Sequence, residues 1–311
     1  MYILLAALNG CIIAVMVAVN GGLADAYGVF LAAVIIHAVG TAFALTALLL
    51  RRRGRSVRPY LFGAGHLPPW LYLGGVIGVA TTVCNNFAFG KISMTSLVAL
   101  GLFGQTLMSL LIDALGLFGM PKRRFQPAQL IGIGFAFCGI AVMLRDVDAG
   151  AAASASAAAA GAVALSFLAG VAVVLSRTVN AGLAARIGAL QGSFVNHLVG
   201  LPVTAAIWLM QGGLPALAGV TVSPRLWIYG GGILGVTVVL LFNTVVPKMQ
   251  AFQLTLLSFA GQIAAGFVID LLCGTVGDRA SLLGGVIVSA GILLHLLWGH
   301  LAEKRAKKAA R

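Results

Sequence analysis

Charge is what this sequence has least of: 9% of its 311 residues are Asp, Glu, Lys or Arg, where a soluble domain carries about 25%. Hydrophobic residues make up 60%, and no soluble fold of this length could hide that much apolar surface. Cysteine is also scarce. Cys11, Cys84, Cys138 and Cys273 all stand in apolar stretches without the close spacing that zinc sites need, so they read as packing residues and no metal site is expected. The first residues lack a basic segment before the apolar run, and that run has a counterpart in the second half of the chain. A retained helix is expected there, not a cleaved leader.

Apolar runs near the roughly 20 residues that cross a bilayer fall at 3–22, 31–50, 70–90, 93–112, 127–145, 161–180, 190–210, 226–246, 252–271 and 281–299. Ten transmembrane helices are therefore expected. Glycine is frequent, at 41 residues, as suits membrane helices whose backbones approach closely.

The net charge of +13 would suggest nucleic acid in a soluble protein. Here the cations flank apolar runs, so they read as topology signals and no nucleic-acid partner is implied. With the N-terminus in the cytoplasm, fifteen cations fall inside: Arg51, Arg52, Arg53, Arg55, Arg58, Lys122, Arg123, Arg124, Arg186, Lys248, Lys304, Arg305, Lys307, Lys308 and Arg311. Four fall outside: Lys91, Arg145, Arg225 and Arg279. An even number of spans returns the basic tail, 301–311, to the cytoplasm.

The chain repeats itself. VNGGLADAYG (19–28) matches VNAGLAARIG (179–188), and each copy continues to a His and a Gly, His37 and Gly40 against His197 and Gly200, at a spacing of 160. A second block repeats at 157: Trp70 with Trp227, Asn86 with Asn243, Lys91 with Lys248, Gln105 with Gln262 and Asp113 with Asp270. Shared polar residues in apolar sequence are a strong repeat signal. Five spans is an odd number, so the second copy enters the membrane upside down. Expected are a first five-helix repeat at 1–148, an Ala/Ser-rich linker at 149–160 and a second, inverted repeat at 161–300. Inverted repeats are a common architecture of secondary transporters, where two halves exchange conformations around one site.

On VNGGLADAYG, the HxxG of His37 to Gly40, WLYLGGVIG (70–78) and GQTLMSLLID (104–113), the chain resembles the drug/metabolite transporter superfamily, and within it the bacterial YdcZ-like family related to EamA-type permeases. The looser GQIAAGFVID (261–270) extends the resemblance over nearly the whole chain. The resemblance implies a ten-helix transporter in the bacterial inner membrane and supplies no substrate. Small multidrug-resistance members carry a Glu in their first helix for proton-coupled export. The first and sixth spans here hold no Glu or Asp, which counts against that mechanism.

The polar residues of the spans are the candidate site. Gln105 and Gln262, near mid-span in the fourth and ninth helices, are expected to meet across the repeat axis and line a polar cavity. His37, His197, Asn86 and Asn243 are further candidates for substrate contact, although a neutral His bonded to a neighbouring helix and an Asn ending its span are equally ordinary roles. Asp113 and Asp270 end repeat-related helices and are candidates for gating or ion coupling. Asn20 and Asn180 precede glycines and suggest turn chemistry. Arg177, matched to Val17, could face an anionic substrate or snorkel to the cytoplasmic surface.

No GxSxG, HExxH or acid–base carboxylate pair is present, so no catalysis and no cofactor are expected. The function expected is alternating-access transport of a small polar metabolite or drug-like solute, with a flippase for a lipid-linked molecule or a channel as alternatives. A coupling ion and a monomeric or homodimeric state are left open. Gly54→Cys, on a background without other cysteines, is expected to resist impermeant maleimide added to intact cells; labelling from outside would overturn the orientation.

Overall fold

The computed structural model describes residues 1–52, 67–88, 94–123, 127–143, 157–213, 221–273 and 283–287, with single helical residues at 290, 291, 294, 297 and 298. The side chains of Asn86, Lys91 and Asp270, and the loop and tail cations beyond these ranges, lie outside the described residues, as does most of the expected linker.

Among the described residues nine α-helices follow one another: α1 (Tyr2–Tyr27), α2 (Val29–Arg52), α3 (Gly74–Ala88), α4 (Met94–Leu115), α5 (Pro127–Met143), α6 (Ala157–Ile187), α7 (Ala189–Met210), α8 (Gly231–Val245) and α9 (Ala251–Cys273). A further helical stretch begins at 283, where Gly285 meets Ile263 of α9 and Gly291 meets Phe135 of α5. No strand occurs among the described residues. Backbone groups in hydrocarbon must be satisfied within their own segment, and helices achieve this.

Among the described residues six helical segments are long and apolar enough to cross a membrane: Tyr2–Tyr27, Val29–Arg51, Gly161–Ile187, Ala189–Met210, Leu226–Lys248 and Ala251–Ile269. Shorter apolar helices lie at Pro69–Thr81, Leu100–Leu115 and Gln129–Gly139. At about 1.5 Å per residue, the 26 residues of α1 exceed a hydrocarbon core of about 30 Å.

The helices run further than apolar run-length suggests. Asn20 and Asn180 lie inside α1 and α6, not at turns. The turns come at Gly28 and Gly188, whose φ angles of 74° and 106° favour a residue without a Cβ. Ala157–Ala160 of the expected linker form the first turn of α6.

Contacts between helices recur at matched positions. Along α1 and α9, a Cβ at Gly10 would overlap the Ser258 carbonyl, and one at Gly261 would overlap that of Ala7. Along α6 and α4, a Cβ at Gly170 would overlap the Gly101 carbonyl, and one at Gly104 that of Phe167. Small residues thus bring these pairs into backbone contact, where van der Waals packing replaces the hydrophobic drive that lipid does not supply.

The same contacts fix direction. Ser258 Oγ donates to the Ala6 carbonyl and Gly10 reaches Gln262, so α1 and α9 are parallel. Gly170 meets Gly101 and Arg177 meets Ser109, so α6 and α4 are parallel. Ser109 with Thr255 and Asp113 with Ala251 make α4 and α9 antiparallel. It follows that α1 and α6 point in opposite directions, and that the Gly28 and Gly188 turns lie at opposite ends of the bundle.

Gly170→Leu is expected to cost about 1–3 kcal/mol, the usual range for overpacking. Gly134→Leu, where a Cβ would meet nothing within 4 Å, is expected to be neutral. Melting temperatures in detergent check the contrast.

Candidate functional site

A cavity of about 600 Å³ lies among α1, α2, α3, α6, α7 and α8, within the range of small-molecule sites. Its wall is mostly apolar, and its polar groups converge at mid-bundle: His37, His197, Asn180, Asn196, Asn243 and Arg177.

The two histidines stand together, their ring centroids 5.7 Å apart and tilted by 46°. Each is placed by the other half of the chain. A Cβ at Gly40 would overlap the His197 ring, and a Cβ at Gly200 would overlap the His37 ring. The HxxG of each half therefore supplies a ring to the other half and a gap for the ring it receives. His37 Nδ1 lies 2.9 Å from the Ala33 carbonyl and His197 Nδ1 lies 2.9 Å from the Ser193 carbonyl. A carbonyl only accepts, so in the neutral ring Nδ1 carries the hydrogen and Nε2 remains an acceptor.

The amides are tied to neighbouring elements. Asn180 Nδ2 donates to Asn196 Oδ1 at 2.7 Å, Asn243 Nδ2 donates to the Ala189 carbonyl at 3.0 Å, and Ser176 Oγ donates to the Gly74 carbonyl at 2.7 Å. The oxygens of Asn20 and Asn243 and the Thr81 hydroxyl are buried without a hydrogen-bond partner.

The cavity is open at one end. At the Gly28 end, Gly21 and Asp25 are exposed and Asn20, Ala24 and Ala33 are partly exposed along its wall. Among their matched residues at the Gly188 end, Asn180, Ala181, Ala184 and Ser193 are buried. Leu183, Ile187, Phe194, Val195 and Val236 pack there into one cluster with Leu71, and Ser193 Oγ donates to the Val236 carbonyl at 2.9 Å.

Gln105 and Gln262 are not among the lining residues. Their helices do meet, but through Ser109 Oγ and Thr255 Oγ1, 2.6 Å apart. The glycine before each glutamine admits a neighbouring helix backbone and not a solute: Phe167 at Gly104, Ala7 at Gly261. Gln262 Nε2 donates within its own helix to the Ser258 carbonyl at 3.3 Å.

Asp113 is 6% exposed and caps α9: Oδ1 accepts from Ala251 N and Oδ2 from Phe252 N, both at 2.9 Å. A carboxylate there satisfies two of the unpaired N–H groups that begin a helix and faces the positive end of its dipole. The side chains of Asp270 and Asn86, their candidate partners, lie outside the described residues. Arg177 does not snorkel; it is 4% exposed and reaches Ser109, Ala251 and Thr255.

Of the cavity residues, Asn196, Ser176 and Thr81 were not singled out by the sequence. Asn196 has a signal that could have found it: the matched position is Ile36, so a polar residue appears beside a conserved-in-repeat His in one copy only.

Apolar helices around a central cavity with convergent polar groups define a multi-pass membrane transport protein. The family model described as "Putative inner membrane exporter, YdcZ" matches residues 1–142 and 161–294, and the chain belongs to that family, DMT_YdcZ. It is thus an inner-membrane protein of the drug/metabolite transporter superfamily. A solved crystal structure with 16% identity superposes with a TM-score of 0.69 over 97% of both chains, a likeness of fold alone. No curated protein matches in sequence.

Asp113→Ala is expected to destabilise the protein by about 0.5–2 kcal/mol, as loss of a helix cap does, with Asp113→Asn intermediate. Thermal melting in detergent reads the order; a variant as stable as the parent would remove the capping role.

Proposed function

We propose that the chain moves a small solute across the inner membrane by alternating access, as two inverted five-helix repeats within ten spans, with the central cavity as the solute site. The observation that carries this is the mismatch between matched wall segments. In one copy the segment Asn20 to Ile36 lines an open cavity, while in the other its counterpart, Asn180 to Asn196, is largely packed shut. Two halves of one design in two conformations are what a rocking exchange requires. The opposed directions of α1 and α6 support the inversion, and the closed Gly188 end favours a carrier over a channel.

The cation bias sets the Gly188 end, near Arg51, Lys122, Arg186 and Lys248, in the cytoplasm, so the state described opens outward. His37 and His197 sit where the halves cross, with Asn180, Asn196 and Asn243 beside them as solute contacts. At the closed end Ser193 donates to the Val236 carbonyl and Asn196 accepts from Asn180, while their counterparts Ala33 and Ile36 carry no polar side chain. An outward-opening state with these bonds made is consistent with a family described as exporters.

The test uses Ala33→Cys and Ser193→Cys, matched positions, in chains whose native cysteines are replaced. Conditions that drive turnover are expected to lower labelling at 33 while raising it at 193. Simultaneous labelling of both, or rates that never change, would remove alternating access.

A further inference from the structure

We infer that the solute is a soluble organic anion with an apolar body, its carboxylate held by the guanidinium of Arg177. This rests on the cavity being the solute site.

Arg177 lies within α6, among the residues lining the cavity, and is almost wholly buried. Its known contacts use one nitrogen. Nη2 donates to Ser109 Oγ at 3.1 Å, to the Ala251 carbonyl at 3.3 Å and to Thr255 Oγ1, all neutral oxygens, and the Phe242 ring lies 5.5 Å from the guanidinium carbon. These ties hold α6 to α4 and α9 through Nη2, and no hydrogen bond from Nε or Nη1 is found among the described residues. Among the described residues no carboxylate forms an ion pair with it. Asp113 is close enough to act on it electrostatically, but both Asp113 oxygens are engaged by the α9 backbone, and Asp25 is exposed at the mouth.

The repeat supplies an internal control. The residue matched to Arg177 is Val17, which also lines the cavity. Val17 is exposed where Arg177 is buried, so the cation stands in one copy of the repeat only. A charged residue deep in a membrane helix is costly and marks a substrate path, and the planar fork of Arg matches a carboxylate in bidentate fashion. Around it the wall is apolar: Met16, Val17, Val173, Val238, Val239 and Phe242. One cation in an apolar chamber selects an anionic group on an apolar remainder, with the free Nε2 acceptors of the histidines available to an N–H or O–H donor.

The experiment compares acids with amides of the same shape: benzoate with benzamide, phenylacetate with phenylacetamide and hexanoate with hexanamide. Each is titrated against the purified full chain in neutral detergent, read by melting temperature and by calorimetry. The acid of at least one pair is expected to bind at least about ten-fold more tightly than its amide. Arg177→Gln is expected to erase that preference, and Arg177→Lys to keep part of it. If Arg177→Gln does not fold, Val173→Asp places a carboxylate one turn away on the same helix and is expected to abolish acid binding while sparing amides. Acids and amides that are indistinguishable, acid binding unchanged in a folded Arg177→Gln, or no binding by any pair would overturn the inference. So would binding of phosphatidylglycerol, added to the same detergent, with none of the soluble acids. Failure here alongside reciprocal labelling at 33 and 193 leaves the carrier intact with a different solute; acid binding without reciprocal labelling leaves a receptor that does not transport.

Discussion

The structure turns on one contact made twice: the imidazole of each half seated against the glycine of the other. His37 over Gly200 and His197 over Gly40 fix where α2 and α7 cross, and therefore where the halves of the chain meet. A larger residue in place of either glycine would displace the imidazole seated against it. The rings also form the floor of the cavity, so the feature that joins the halves is the one a solute would reach. Because each Nδ1 is bound to the carbonyl one turn back, the rings are held in one orientation with the same nitrogen left free.

Around that crossing the halves differ, and the differences are polar. At the Gly188 end, Ser193, Asn196 and Asn243 bridge α6, α7 and α8, and Arg177 with Asp113 ties α4, α6 and α9. At the Gly28 end, α1 is joined to the segment before α8 by the Tyr27 and Tyr229 hydroxyls, with Ser223 N donating to Tyr27 at 2.7 Å. Individual hydrogen bonds between membrane helices contribute only about 0.6 kcal/mol on average. The two ends therefore carry different sets of side-chain hydrogen bonds, each small by itself.

Much of this was legible in the sequence, because apolar run-length and repeated polar residues are read without knowing any contact. The all-helical membrane class and the match of His37 to His197 as repeat mates follow from it; that the two rings meet in space does not. The depth of the helices past Asn20 and Asn180 did not, since an Asn with a glycine one or two residues on signals a turn in water, yet both stand inside helices here. Gln105 and Gln262 show the limit more sharply. Their mid-span depth and adjoining glycines are correct, yet which face of a helix meets a neighbour and which meets a cavity depends on six helices at once. Asp113 likewise carries the composition of a functional carboxylate, and only the position of Ala251 and Phe252 reveals a cap.

The central claim, that the two ends open in alternation, is tested most directly by paired distances in one sample. Spin labels at positions 25 and 83 span the open end, and labels at the matched positions 185 and 240 span the closed end. In lipid nanodiscs, a change of pH or added solute that shifts the population should shorten the first distance as it lengthens the second. Distances that move together, or a single fixed distance at each end under every condition, would contradict an exchange of conformations between the repeats.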